Sequence, residues 1–193
     1  TLAFLYTCSE NLPCPTMSKP RVLRIINRLN LGGPTYNATY LSKYLAPEFE
    51  TLFLAGNKDE TEASSEFIVE SQGLQATYIN GMYRSLNPWK DYQAYREIRK
   101  IIREFKPDIV HTHAAKAGAL GRLAAIHSKV PVIVHTFHGH VFHSYFRSFV
   151  NELFIRIERY LASKSSVIIA ISDLQKKELS ETFAICPASK VHV

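Results

Sequence analysis

Long apolar runs are missing from this 193-residue chain, and none approaches the ~20 residues a membrane-spanning helix requires. The opening Leu2-Ala3-Phe4-Leu5-Tyr6 is too short for the core of a signal peptide and has no basic residue ahead of it, so secretion is not expected. Cysteine is scarce. Cys8, Cys14 and Cys186 cannot all pair within one chain, and none stands at metal-ligand spacing to another, which fits a reduced, cytoplasmic setting. An initiating methionine is also missing, since the sequence starts at Thr1. Met17 opens a better beginning, just before the first strand-like run. Residues 1–16 carry Pro13 and Pro15 without periodicity and read as foreign to the native chain or poorly ordered. Internal repeats and low-complexity segments are absent as well.

What is present is ordinary for a soluble globular protein: 46% hydrophobic and 21% charged residues, in a length that supports one domain with a full core. The net charge of +6 suits phosphate-bearing partners such as nucleic acid, anionic lipid headgroups or lipid diphosphates. A merely basic surface is the commoner explanation, so charge alone decides nothing.

Strand-like and helix-like segments alternate. Val22 to Ile26 is an apolar run of strand length, closed by Gly32-Gly33-Pro34, and Tyr36 to Leu45 keeps helical spacing. Thr51 to Ala55 is a second strand, 61–72 a short helix and Ala76 to Ile79 a third strand. Pro88 suits the first turn of a long helix through Phe105, whose Trp89, Tyr92, Tyr95, Ile98, Ile102 and Phe105 hold the 3.6-residue period. Asp108 to His111 follows as a fourth strand, Ala115 to His127 as a small-residue helix and Val130 to Thr136 as a fifth strand. Phe142 to Ala162 is a second long helix, Val167 to Ile171 a sixth strand and Asp173 to about Phe183 a helix. Lys190 to Val193 makes a last strand. Solidly apolar strands taking turns with helices predict an α/β fold, a parallel sheet with helices on both faces.

In such a sheet, ligands collect beyond the carboxyl ends of the strands, near a switch in strand order. The loops there hold the least ordinary residues. Gly32 and Gly33 would let the backbone approach a ligand and aim a helix N-terminus at an anion, or would merely serve a tight turn. The dinucleotide fingerprint is not met, because the third glycine and the acid closing strand 2 are missing. That excludes a nicotinamide-dependent oxidoreductase. His111 and His113, two apart on strand 4, share a face and could bind a metal, although no cysteine or carboxylate nearby completes a ligand set. The plainer reading packs His111 in the sheet and leaves His113 at the sheet edge; it is preferred for His111, whereas His113 and Lys116, at a strand-to-helix junction, are expected to contact a polar ligand. His138-Gly139, just past strand 5, is placed for acid–base work or for hydrogen bonding to a reacting group. His135, His140 and His143 around it keep a metal reading open. Ser172 reads as a helix N-cap compatible with ligand contact.

The stretch His111-Thr112-His113-Ala114-Ala115-Lys116-Ala117-Gly118-Ala119-Leu120-Gly121-Arg122-Leu123-Ala124-Ala125 resembles a segment of family 4 glycosyltransferases of bacterial surface-polysaccharide assembly. Pro131 to Gly139, Ile157-Glu158-Arg159, Ala170-Ile171-Ser172 and the ending Cys186 to Val193 are similar to that family in the same order and spacing. The resemblance runs from about Met17 to Val193. It implies the N-terminal, acceptor-side half of a GT-B fold: one of two Rossmann-like domains, with the donor-binding half expected outside this sequence. The family's chemistry usually needs no metal and retains anomeric configuration, so no cofactor or metal is expected. The implied partners are a nucleotide-sugar donor and a saccharide or lipid-linked acceptor, with no nucleic acid. By position His138 matches the reaction-centre histidine, and Gly32 and Gly33 match the loop that approaches donor phosphates and acceptor. His113, Lys116, Gly139 and Ser172 match substrate-binding positions. The family's paired glutamates are not found here, so the isolated chain is expected to fold without transferring sugar.

A non-catalytic carbohydrate- or lipid-binding module is the alternative, and a histidine-rich hydrolase lacks carboxylates beyond Asp173. One further expectation concerns a membrane. Lys90, Arg96, Arg99, Lys100, Arg103 and Lys106 lie on the long helix against Asp91, Glu97 and Glu104. Arg147, Arg156 and Arg159 accompany Phe146, Phe149, Leu153 and Phe154 on the next. These are either solvated faces or a basic, aromatic surface for peripheral docking on an anionic inner leaflet.

Overall fold

A computed structural model describes residues 18–57, 63–83, 85–139 and 148–193. Seven parallel strands form a single sheet among them: β1 (Arg21–Ile26), β2 (Glu50–Gly56), β3 (Ala76–Ile79), β4 (Ile109–His113), β5 (Val132–Thr136), β6 (Val167–Ile169) and β7 (Val191–His192). Their spatial order is β3-β2-β1-β4-β5-β6-β7, so the strand order reverses between β1 and β4. Six α-helices cover it: α1 (Gly33–Leu45), α2 (Glu66–Ser71), α3 (Pro88–Phe105), α4 (Ala115–His127), α5 (Ser148–Lys164) and α6 (Asp173–Lys177).

The alternation of side chains along each strand builds two separate cores. Leu23, Ile25, Leu54, Val110 and Ile133 point to the face covered by α3 and α4, where Ala94, Ile98, Ile102, Ala117, Ala124 and Ala125 meet them. Ile26, Phe53 and Ala55 point to the other face, against Ala38 of α1 and Val69 of α2. A third cluster, including Phe137, Ile155, Ala162, Ile168 and Val191, closes the β6–β7 end. Helix ends follow their local chemistry. Asn87 caps α3, its side chain accepting from the amides of Trp89 at 3.1 Å and Lys90 at 3.0 Å. Lys106 ends that helix in the left-handed region, and Pro107 prevents its continuation.

The expected parallel α/β sheet is found, and the boundary differences have visible causes. β4 runs on to His113 because β1 and β5 flank it on both sides and pair with it to the end, Ile26 with His113 and His113 with Thr136. β5 starts later than expected, since the Val130 amide donates to Ala125 and closes the end of α4. β6 stops at Ile169 and the Ile171 amide turns away to the Gln175 side chain, at 2.9 Å. The helix expected from Asp173 to Phe183 changes at Glu178 into a π-helical turn, with the Phe183 amide donating to the Glu178 carbonyl at 2.9 Å. The start of the helix expected from Phe142, with His140, His143, Phe146 and Arg147, lies outside the described residues, as do Cys8 and Cys14. No helix among the described residues is long and apolar enough to cross a membrane.

Candidate active site

The site forms where the strand order reverses. Arg24 of β1 sits opposite His111 of β4 in the register, and both side chains lie on the α1 side of the sheet. The guanidinium is 1% exposed. Its Nε donates to Ser42 Oγ of α1 at 2.8 Å, and its Nη1 lies 2.7 Å from His111 Nδ1 and 3.4 Å from His113 Nε2. His111 Nε2 in turn meets Thr136 Oγ1 at 2.8 Å, joining β4 to β5. His113 Nδ1 lies 2.9 Å from His138 Nε2. The two rings are inclined by only 24° with centroids 5.2 Å apart, the spacing of imidazoles joined edge to edge through that bond. The row therefore runs from Ser42 through Arg24 and His113 to His138, and only His138 reaches partial exposure.

Burial sets the charges. Desolvation lowers the Arg24 pKa to about 10, which leaves it a cation at neutral pH. Desolvation also pushes His111 and His113 well below the usual imidazole range, with the Arg24 charge adding to it for both. His138 falls to about 4 through desolvation. The row is thus one fixed positive charge and a series of neutral imidazoles. Four ring nitrogens are already engaged by a cation or by one another. Among the described residues no group of three His, Cys, Asp or Glu converges to hold a metal ion.

Backbone geometry on either side of the row is unusual. Ala114, between His113 and α4, has φ 65° and ψ 165°, a conformation sparsely populated by residues with a side chain. Gly139, directly after His138, has φ 139°, which explains glycine there by backbone need alone. The Gly139 carbonyl accepts from Gln175 Nε2 at 2.8 Å, and the Gln175 amide donates to Ser172 Oγ at 3.2 Å. Ser172 is therefore the N-cap of α6, and buried Gln175 ties the β5 exit to the β6 exit.

The structure brings some expected site residues together and separates others. His113 and His138 touch, and Gly139 and Ser172 are joined through Gln175. Gly32 and Gly33 follow β1 and start α1. A side chain at Gly33 would meet nothing within 4 Å, and one at Gly32 would make only an ordinary contact at 3.6 Å, so no tight packing requires glycine at either. The backbone at both positions is uncrowded. His113, expected to contact a polar ligand, is fully buried in a central strand and meets His138 from behind. Lys116 turns toward α3, its Nζ 2.5 Å from Asp91 Oδ1 and 2.5 Å from the Ser85 carbonyl. Arg24 and Gln175 were not anticipated. Ser172-Asp173-Leu174-Gln175 has the spacing of a helix-capping box, a signal that could have revealed Gln175. Arg24 gives one cue only, a charge in the middle of an otherwise apolar strand.

A seven-stranded parallel Rossmann-like sheet with helices on both faces matches one half of a GT-B fold. In overall shape the chain is similar to a UDP-GlcNAc 2-epimerase from Neisseria meningitidis, with a TM-score of 0.66 at 17% identity over 90% of this chain and 46% of that one. That likeness shows the fold and leaves the reaction open. Residues 31–193 match the sequence profile described as Glycosyltransferase Family 4, and the chain belongs to that family. It is 33% identical over 104 residues to the UDP-Gal:alpha-D-GlcNAc-diphosphoundecaprenol alpha-1,3-galactosyltransferase of Escherichia coli, covering 54% of this chain and 27% of that protein. It is 34% identical over 122 residues to the UDP-N-acetylglucosamine--N-acetylmuramyl-(pentapeptide) pyrophosphoryl-undecaprenol N-acetylglucosamine transferase of Lactococcus lactis subsp. lactis, covering 58% of this chain and 33% of that protein. The matches span about a third or less of those relatives' lengths.

Proposed function

We propose that this chain is the acceptor side of a glycosyltransferase that moves a sugar from a nucleotide-sugar donor to a saccharide carried on a lipid diphosphate. The observation that carries the reading is His138, partly exposed at the carboxyl edge of the sheet and held there by a buried partner, within a chain of family 4. The family match gives the class of reaction. The two named relatives, whose names both specify a diphosphate-linked undecaprenol acceptor, support the class of substrate. In this proposal Gly32 and Gly33 admit phosphate or saccharide to the start of α1, and His138 contacts the reacting sugar. Donor-binding groups come from residues outside this sequence, no metal takes part and the anomeric configuration is retained.

The test uses a longer version of the protein carrying a donor-binding half, UDP-sugars, and an undecaprenyl-diphosphate-linked sugar. Transfer with His138 present, falling about 10²–10³-fold in His138→Ala, is the expected outcome, the usual worth of one positioned donor at a reacting centre. Binding of the acceptor without any transfer would replace this reading with that of a carbohydrate- or lipid-binding module.

A lipid acceptor places the protein at a cytoplasmic membrane face, and the helical surface supports this. Trp89 is 69% exposed and Tyr92 49%, near exposed Lys90 and Arg96 on α3. Leu120, Leu123, Ile157 and Tyr160 line an apolar groove between α4 and α5. We propose peripheral, reversible docking of this surface on anionic lipid. Co-sedimentation with anionic vesicles should weaken as salt rises, because screening sets in beyond about 8–10 Å. Equal binding to neutral vesicles, or none to either, would remove the proposal.

A further inference from the structure

We propose that Arg24 is a positioning residue that acts through His113 to fix the tautomer of His138, so that His138 presents an N–H from Nδ1 instead of a lone pair. The consequence for catalysis rests on the proposed glycosyltransferase reading, whereas the wiring itself does not.

The argument follows the donors in order. A guanidinium has only N–H groups to offer and no lone pair to accept with. Burial leaves Arg24 charged at neutral pH. Each ring nitrogen facing it must therefore be the unprotonated one. For His111 that is Nδ1, at 2.7 Å, so the proton sits on Nε2 and is donated to Thr136 Oγ1 at 2.8 Å. For His113 it is Nε2, at 3.4 Å, so the proton sits on Nδ1. The opposite assignment would press the His113 N–H against a guanidinium inside the sheet. His113 Nδ1–H then donates to His138 Nε2 at 2.9 Å, which makes Nε2 the acceptor and leaves the His138 proton on Nδ1. Among the described residues Nδ1 of His138 has no hydrogen-bond partner. Among the described residues no carboxylate enters the row to supply a competing acceptor. The charged or titratable groups on the row's own face are Arg24 from β1 and His111 from β4, and His135 of β5 acts on it only through the sheet, from the opposite face.

A neutral imidazole whose only lone pair is already engaged cannot take a proton from an attacking hydroxyl. It can hydrogen-bond an oxygen. The substrate atom recognised by His138 is accordingly a hydroxyl, carbonyl or phosphate oxygen that accepts from Nδ1–H. Arg24 supplies the reason this tautomer persists, because the alternative imidazole arrangement would require breaking a buried, charge-assisted contact. Placing the positive charge at the far end of a two-histidine relay also keeps it out of the site itself.

Long-range ¹⁵N–¹H correlation spectra of the labelled 193-residue chain near neutral pH read each tautomer directly. The expected pattern is His111 protonated on Nε2, with His113 and His138 protonated on Nδ1. A His138 proton found on Nε2 in the wild-type chain overturns the proposal, and this holds even if no variant folds. Arg24→Met should convert His113 and His138 to a mixture of tautomers, and an unchanged His138 in a folded Arg24→Met chain overturns it too. In a longer, active protein Arg24→Met should lower kcat roughly tenfold or more with KM nearly constant, since a wrong tautomer alone can cost as much as about 10⁴-fold. It should add little in a His138→Ala background, whereas fully additive losses would count against a shared pathway. Predicted tautomers without any transferase activity would leave the wiring standing and remove only the functional reading.

Discussion

Among the described residues two arginines are buried, one on each face of the sheet, and they are solved in opposite ways. Arg122 of α4 lies on the α4 side, where its Nη2 forms a forked pair with Glu158 of α5 at 2.8 and 2.7 Å and its Nε donates to the Gly118 carbonyl. Beside it His135 Nδ1 meets Thr112 Oγ1 at 2.9 Å. Positions 112 and 135 alternate with 111, 113 and 136, so this network backs onto the Arg24 row through the thickness of one sheet. Arg122 has a carboxylate and closes on itself. Arg24 has imidazoles, a serine and no carboxylate, and its chain of contacts leads outward to His138. A buried cation neutralised by an acid joins two helices. A buried cation left to histidines dictates where their protons sit.

That contrast can be broken by experiment. Removing the acid on the closed side should cost the most stability: Glu158→Ala strands Arg122 without a countercharge, and urea unfolding should show a loss of about 3–5 kcal/mol. Arg24→Met removes the charge itself and leaves imidazole lone pairs and the Ser42 hydroxyl oxygen without a donor, but no buried charge, for a smaller loss of about 1–3 kcal/mol in the same assay. Should Arg24→Met prove the more damaging, the two sides would not differ as described. Gly139→Ala tests the exit of the row. A φ of 139° is strained for any residue with a side chain, and the penalty of about 1–3 kcal/mol should appear as a lower Tm.

The smallest effect is a pH dependence. In the folded chain His138 has its pKa lowered from 6.5 to about 4. Between those values the unfolded chain binds more protons, so stability is fully present above the unfolded value and falls as pH drops through 6.5 toward 4. His111, His113 and His135 are displaced in the same direction and steepen the loss. Urea midpoints across this window should fall with acidity, and the slope should flatten slightly in His138→Gln. No difference between the two slopes would mean that His138 is solvated like an exposed histidine.

The elements were largely legible in the sequence because their signals are local. Apolar runs such as Val167-Ile168-Ile169 and the period of α3 survive into the sheet and its cover. The candidate site was legible only where a residue announces itself by its loop, as His138-Gly139 and Ser172 do. Arg24 lies inside an apolar strand, and its meaning depends on β4 lying beside β1, a pairing between residues 87 apart. Lys116 looked like a cleft cation from its place at a strand exit, yet Asp91, 25 positions earlier, takes its charge once α3 packs on α4. Such relations belong to register and packing, which no window of neighbouring residues contains.

Gly118 carries a consequence of another kind. Its missing side chain lets α4 rest so close to β5 that an added carbon would stand 2.4 Å from His135 Cε1 and 3.3 Å from Arg122 Nη2. The gap between helix layer and sheet is thus fixed by an atom that is not there. Position 118 works as a spacer of zero thickness. Any residue with a side chain would have to lift α4 or displace the His135 ring, and lifting α4 would draw Lys116 and the strained Ala114 with it. One methyl group, added well behind the site, would therefore reach the backbone that follows His113.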